Sequence, residues 1–91
     1  GNDLYMEQPV DLYDAVLGGK VNVKVFEKLV KVDIPAGTDS GKVFRLKGMG
    51  MSLYEKPGMH GDAYVKLMIT VPKNLSQAEK DLFSQLSKIK S

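Results

Sequence analysis

Cysteine is absent from this chain of 91 residues, and so is any long uninterrupted apolar run. Without cysteine the chain forms neither a disulfide framework nor a zinc site with thiolate ligands. A run of about 18 apolar residues is needed for a transmembrane helix, and a secretory leader needs a basic stretch followed by an apolar one. We find neither pattern. The composition is compatible with a reducing compartment, so we expect a cytoplasmic protein without a membrane partner.

A strong excess of one charge is also missing. Lys and Arg together number 13 and Asp and Glu number 11, so the net charge is only +2. A nucleic-acid-binding protein typically concentrates basic residues on one surface, and we therefore expect no nucleic-acid partner.

Catalytic and metal-binding constellations are not visible either. The single histidine, His60, has no second histidine and no cysteine with which to complete a metal site. Ser40, Ser52 and Thr38 have no evident base partner, and the spacing of the carboxylates picks out no catalytic pair. We predict no enzymatic activity, no metal and no cofactor for this segment.

The most informative stretch is residues 33–51. It predicts a strand that ends at Ile34, a tight turn over Pro35 to Gly41, a second strand over residues 42–47, and then a glycine-rich loop. Residues 37–42 superficially resemble a phosphate-binding loop. Because a strand follows, no helix N-terminus is aimed at a phosphate, and a structural turn is the better interpretation.

Alternation of apolar and polar residues predicts the other strands. These strands cover residues 4–10, 20–26, 29–34 and 62–71. Asp11 is suited to cap a short helical turn over residues 12–17, and we expect the hairpin connection at Glu27 and Lys28. Residues 49–61 show no period and are predicted to form a long loop.

The last part of the chain has a helical period. Ser76 and Glu79 have the spacing of a capping box, in which each side chain bonds the backbone amide of the other residue. One apolar stripe follows at helical spacing: Leu82, Phe83, Leu86 and Ile89. This stripe either packs against the sheets of its own chain or meets a partner chain, and we take it as the candidate dimerisation element.

Together these elements predict a mostly β fold, a small two-sheet β-sandwich with a short helical turn and a C-terminal helix. We divide the chain into a β-sandwich over residues 1–75 and a helical element over residues 76–91. Because the first strand begins almost at once, we expect the chain to be a fragment of a longer protein.

Some apolar strand residues exceed what a small core needs and are candidates for binding. An extended peptide can add to a sheet edge while its side chains enter apolar depressions. The candidate residues for binding such a peptide are Met6, Val21, Val23, Val25 and Phe44. Residues of this type occur in cores more often than in grooves, so both interpretations remain open.

The run of residues 34–50, IPAGTDSGKVFRLKGMG, resembles the signature of the C-terminal region of DnaJ-type co-chaperones, which carry a J-domain. Four more segments occur in the order typical of that family: residues 2–6, 12–19, 61–65 and 71–76. The resemblance extends from Asn2 to about Leu86 and is specific to the second of the family's two C-terminal β domains.

The resemblance implies a function in protein folding. Members of this family carry unfolded client polypeptides to a DnaK-type chaperone, and their C-terminal β domains hold client segments. Their extreme C-terminus pairs two protomers, which implies a homodimer of the full-length protein. This chain lacks the family's His-Pro-Asp tripeptide and its cysteine repeats, so contact with the DnaK-type partner is expected through parts absent from this segment.

The chain departs from the family pattern at two turns. Glu27 and Lys28 stand where an Asp-Gly turn is usual, and Ser52 stands where a proline is usual. The alternative function that we keep open is a purely structural dimerisation or spacer domain without a client site.

Overall fold

The structure is a computed structural model that describes residues 2–53 and 58–90. The described residues form five strands and two helices: β1 (Leu4–Asp11), α1 (Leu12–Leu17), β2 (Gly19–Val25), β3 (Lys28–Ile34), β4 (Val43–Leu46), β5 (Ala63–Thr70) and α2 (Gln77–Lys90). This order confirms the predicted mostly β fold with a short first helix and a C-terminal helix. Part of the predicted loop over residues 49–61, namely residues 54–57, lies outside the described residues.

The strands form two sheets. The larger sheet has the order β1-β5-β4, in which β5 pairs in parallel with β1 and antiparallel with β4. The smaller sheet is the antiparallel hairpin of β2 and β3. The two sheets enclose one core, as expected of a small β-sandwich.

The core consists of the inward residues of both sheets. Eight of them form one cluster and are between 0% and 6% exposed: Val10, Val23, Val25, Val32, Ile34, Ala63, Val65 and Leu67. In β5 every second residue from Ala63 to Leu67 is fully buried, which is the period expected of a strand with one face on the core. The predicted alternation of inward and outward residues is confirmed there.

The predicted position of the hairpin turn is wrong by one residue, and several strand ends differ from the predicted ones by one residue. Lys28 pairs with Val25 and is the first residue of β3, so the hairpin turn consists of Phe26 and Glu27 and not of Glu27 and Lys28. Phe26 has a φ of 55°, a left-handed conformation that is unusual for a bulky residue. Strand β1 ends at Asp11, one residue beyond the predicted end, and it contains Pro9, which an edge strand tolerates although proline donates no hydrogen bond.

Backbone hydrogen bonds join helix α1 to the turn that follows β3. The Asp11 carboxylate accepts a hydrogen bond from the Tyr13 amide at 2.8 Å, which confirms the predicted cap. The amides of Gly37 and Thr38 both donate to the Ala15 carbonyl, at 2.8 and 3.1 Å. These amides are therefore occupied within the fold, which supports a structural turn and not a phosphate-binding loop.

The segment before β1 passes between two glycines. The Asn2 carbonyl accepts a hydrogen bond from the Met51 amide at 2.8 Å, and the amide of Gly50 donates to the carbonyl of Gly61 at 2.9 Å. A Cβ atom at Gly50 would lie 2.7 Å from the Asn2 oxygen, and one at Gly61 would collide with the same group. We call this meeting point of residues 2–4, 48–51 and 61–62 the glycine junction.

Asp62 ties the glycine junction to strand β4. Its carboxylate accepts hydrogen bonds from the Gly48 amide at 2.8 Å and from Nε of Arg45 at 2.7 Å. Its own amide donates to the Asp3 carboxylate at 2.8 Å. The Gly48 amide, and after it the Arg45 guanidinium, lower the pKa of Asp62, because both favour the ionised carboxylate.

The steric requirement at Gly61 leads to a first prediction. Gly61→Ala places a methyl group against the Asn2 backbone, and we expect it to lower the free energy of unfolding by about 3 kcal/mol or more. Gly37→Ala is the matched control, because a Cβ at Gly37 meets no atom within 4 Å and only its left-handed φ of 79° is strained, at about 1–2 kcal/mol. Urea denaturation measures both values, and equal losses in the two variants would contradict the steric explanation.

The lowered pKa of Asp62 leads to a second prediction. Its contribution to stability is fully present above the pKa of Asp in the unfolded chain, about 3.9, and is lost as the pH falls through the lower pKa of the folded state. We expect Asp62→Asn to have a lower urea midpoint than the wild type at neutral pH and a shallower decline below about pH 4.

The control for this experiment is Asp33→Asn, which removes an exposed carboxylate from β3. Among the described residues, the Asp33 carboxylate has one long ion pair, with Lys20 at 3.7 Å, and both side chains are largely in solvent. We expect this variant to follow the wild-type pH profile. A profile of Asp62→Asn parallel to that of the wild type would show that the carboxylate does not stabilise the glycine junction.

Candidate functional site

The structure divides the predicted client-binding residues into two groups. Val23 and Val25 are 0% and 2% exposed and belong to the core, so no ligand reaches their side chains. Met6, Val21 and Phe44 are half-buried and pack against the margin of the core. Of the five predicted client-binding residues, only these three offer apolar surface to a partner.

Met6 and Phe44 do not share one groove. Both lie in register with Val65 of β5, Met6 on one side in β1 and Phe44 on the other side in β4. Since neighbouring strands are about 4.8 Å apart, the two residues lie about 10 Å from each other, at opposite edges of the sheet. The five predicted residues therefore do not form a single continuous surface.

The free edge of β2 is the feature that best suits an extended ligand. Strand β2 has seven residues without a proline and, within residues 2–53 and 58–90, it pairs only with β3. The backbone on its other side is available for hydrogen bonds with an added strand. Val21 lies near the start of β2 and supplies half-buried apolar surface beside this edge.

The predicted start of α2 is confirmed in detail. The Ser76 amide donates to the Glu79 carboxylate at 2.8 Å, and the Glu79 amide donates to the Ser76 hydroxyl at 3.1 Å. The Ser76 amide, and after it the Ser76 hydroxyl, lower the pKa of Glu79. This reciprocal pair is a capping box.

The apolar stripe of α2 is largely exposed. Leu82, Leu86 and Ile89 are 59%, 58% and 76% exposed, whereas Phe83 is half-buried and packs against Tyr13 of α1 with ring centroids 6.3 Å apart. The stripe and Tyr13 border an open depression of about 340 Å³. Phe83 thus contacts its own chain at Tyr13, while the other three residues are largely exposed.

A second apolar region, at the tip of the β2–β3 hairpin, is not among the predicted site residues. Phe26, 54% exposed, faces the loop around Gly50, and two adjoining depressions of about 270 and 290 Å³ lie between them. Met49 and Met51 line these depressions from the loop. The unusual apolar content of the loop is the sequence signal for this region, but the position of Phe26 opposite it depends on the turn.

His60 has a structural contact in this region. Its Nδ1 lies 3.1 Å from the Gly50 carbonyl oxygen, within hydrogen-bond distance. In the part of the chain that the structure describes, no three His, Cys, Asp or Glu side chains are placed to hold a metal ion. None of the described helices is long and apolar enough to span a membrane.

The chain belongs to the DnaJ C terminal domain family. The profile of this family matches residues 1–72, which include both sheets and the glycine junction. The match confirms the family expected from residues 34–50 and from the four further segments.

Several relatives have the name chaperone protein DnaJ. The relative from Ruthia magnifica is 40% identical over 86 residues, which is 94% of this chain and 23% of the relative. The relative from Clostridium botulinum strain Eklund 17B is 41% identical over 81 residues, 89% of this chain and 21% of the relative. The relative from Methanothermobacter thermautotrophicus is 40% identical over 89 residues, 98% of this chain and 23% of the relative. The chain thus spans between a fifth and a quarter of the length of these relatives.

Proposed function

We propose that this chain acts in a DnaJ-type co-chaperone of the cytoplasm, where it holds extended segments of unfolded client polypeptides before their delivery to a DnaK-type chaperone. The observation that carries this proposal is the free, proline-free edge of β2, beside half-buried Val21, in a member of the DnaJ C terminal domain family. Delivery requires other parts of a longer protein, because the relatives are more than four times as long as the matched segment.

In the proposed mechanism, a client segment adds to β2 as a further strand of the smaller sheet. Each main-chain hydrogen bond contributes about 0.5–1.5 kcal/mol net, and ordering each client residue costs about 1–2 kcal/mol. The two terms nearly cancel, so hydrogen bonds alone give little affinity. Apolar client side chains that contact the region around Val21 supply the remainder, which makes binding selective for unfolded apolar segments and readily reversible.

The backbone part of this capture does not depend on which residues the client segment contains. An edge strand offers amides and carbonyls that every polypeptide complements, whereas a deep side-chain pocket would select particular residues. Val23 and Val25 support the proposal indirectly, because their burial anchors β2 to the core and keeps its edge extended.

The second part of the proposal assigns α2 to dimerisation. Leu82, Leu86 and Ile89 expose one apolar stripe that an identical helix would cover. Two protomers joined in this way would present two weak client sites on one particle, and a client bound at both would dissociate more slowly. A structural dimerisation or spacer domain without a client site is the alternative, and the exposed stripe favours it equally.

The client proposal leads to a prediction for Val21. We expect an extended apolar peptide to shift the amide resonances of residues 19–25 of the isotope-labelled chain, and we expect Val21→Asp to weaken this binding about tenfold, since a charge replaces the apolar contact. The matched control is Leu29→Asp, which introduces the same charge at a residue of β3 that is 71% exposed. A peptide methylated at alternate backbone nitrogens should bind more weakly than the unmodified peptide. Equal affinity of Val21→Asp, Leu29→Asp and wild type would leave only the spacer function.

The dimerisation proposal leads to a prediction for Leu86. Leu86→Asp places a charge in the centre of the exposed stripe, and we expect it to weaken self-association while the β-sandwich unfolds at the wild-type urea concentration. Ser84→Asp, on the opposite side of α2, is the matched control. Sedimentation velocity measures the mass of each variant, and an unchanged wild-type mass for Leu86→Asp would reject a dimer formed through α2.

A further inference from the structure

The outer face of the larger sheet, which points away from the core, carries an exposed aromatic stack. The rings of Tyr5 and Tyr64 lie 5.2 Å apart with an interplanar angle of 13°. Tyr5 is 74% exposed, and Met68 farther along β5 is 36% exposed. Exposed, stacked aromatic rings on an open sheet face are typical of surfaces that meet a partner.

The parallel register of β1 and β5 arranges the outward residues in four rows, of which the last, Asp11 with Thr70, lies next to α1. Each of the first three rows pairs one residue of β1 with one of β5: Tyr5 with Tyr64, Glu7 with Lys66, and Pro9 with Met68. The first row is aromatic, the second has one negative and one positive charge, and the third is apolar. We call these six residues the outer face.

The outer face is complementary to itself. Consider a two-fold axis that lies above the outer face, between the two copies, and runs parallel to the strands midway between β1 and β5. It would place β1 of one copy over β5 of a second copy, in the same direction. Each Tyr5 would then meet the second copy's Tyr64, and each Glu7 the second copy's Lys66. The same contact occurs twice, as the symmetry of a two-fold interface requires.

We propose that the outer face binds a second copy of this chain, with two sheets stacked in aligned orientation. Sheets packed in this way lie about 10 Å apart with strands within about 30° of parallel, so the central rows near the axis stay in register. The charges favour this occupant over others. A strongly acidic ligand would meet Glu7 and a strongly basic one Lys66, whereas a second copy meets an opposite charge at both positions.

Neighbouring groups leave this pair of charges available. Among the residues that the structure describes, Glu7 and Lys66 form no ion pair within one chain, and both are exposed. The nearby cation Arg45, across from Tyr64 in β4, is already bound to Asp62 at 2.7 Å. The pairing between two copies therefore breaks no ion pair of the folded chain.

The outer face and the stripe of α2 are different surfaces, so this inference does not depend on the proposed function. If both act, each chain has two separate two-fold contacts, and assemblies larger than a dimer form at high concentration. If only the outer face acts, association stops at a dimer that Leu86→Asp leaves intact.

A charge-exchange experiment tests the proposal on the full 91-residue chain that carries Leu86→Asp. Four versions are compared by sedimentation equilibrium at increasing concentration: no further change, Glu7→Lys, Lys66→Glu, and both together. We expect each single reversal to weaken association about tenfold or more, since like charges meet twice in each dimer, and the double exchange to restore it. An equimolar mixture of the two single variants should also associate, because each then meets its opposite. Lys31→Glu, an exposed reversal on β3, is the control and should associate like the unreversed chain.

The outcomes separate clearly. Loss in both single variants with recovery in the double variant and in the mixture supports the proposal. Unchanged association in the single variants, or no recovery in the mixture, overturns it, as does a chain that stays monomeric throughout. Urea midpoints of all versions show whether each variant is folded, and Tyr64→Ser gives an independent check, because it removes the aromatic contact without changing charge.

Discussion

The contact on which the rest of this fold depends is the glycine junction, where the Asn2 carbonyl lies against Gly50 and Gly61 without room for a side chain. The parallel ladder of β1 and β5 begins directly after it, with Leu4 opposite Ala63. Because side chains alternate along a strand, a shift of one residue would turn the core residues outward. The junction and the Asp62 carboxylate therefore set the register that buries Val65 and, on the opposite face, brings the two tyrosine rings together.

Strand β2 combines two roles that compete for the same residues. Its inward valines are needed in the core of a small domain, where little apolar surface is available. Once Val23 and Val25 are buried, the strand has its backbone edge and half-buried Val21 left for a ligand. The binding proposed for β2 thus combines main-chain hydrogen bonds of small net free energy with the limited apolar surface near Val21, and modest affinity follows from this arrangement.

Binding sites of low affinity hold a ligand more tightly when several chains that carry them are joined. The described residues extend over 58 × 23 × 18 Å, which is elongated for a chain of this length. The proposed client edge, the stripe of α2 and the outer face belong to different elements of this elongated molecule. Self-association through either of the last two would bring client edges together on one particle, and avidity would then compensate for the weakness of each site.

The sequence by itself determined the local structure: the strands from their alternation, the Asp11 cap and the Ser76–Glu79 capping box from residue types and spacing. These features depend on contacts between residues a few positions apart, so a linear pattern contains the necessary information. Only the tertiary structure decided that β1 pairs in parallel with β5, that Met6 and Phe44 lie at opposite edges, and that Phe26 occupies the hairpin turn. Periodicity shows which side chains share a face of a strand. What covers that face depends on contacts between residues far apart in the chain, and these no local pattern specifies.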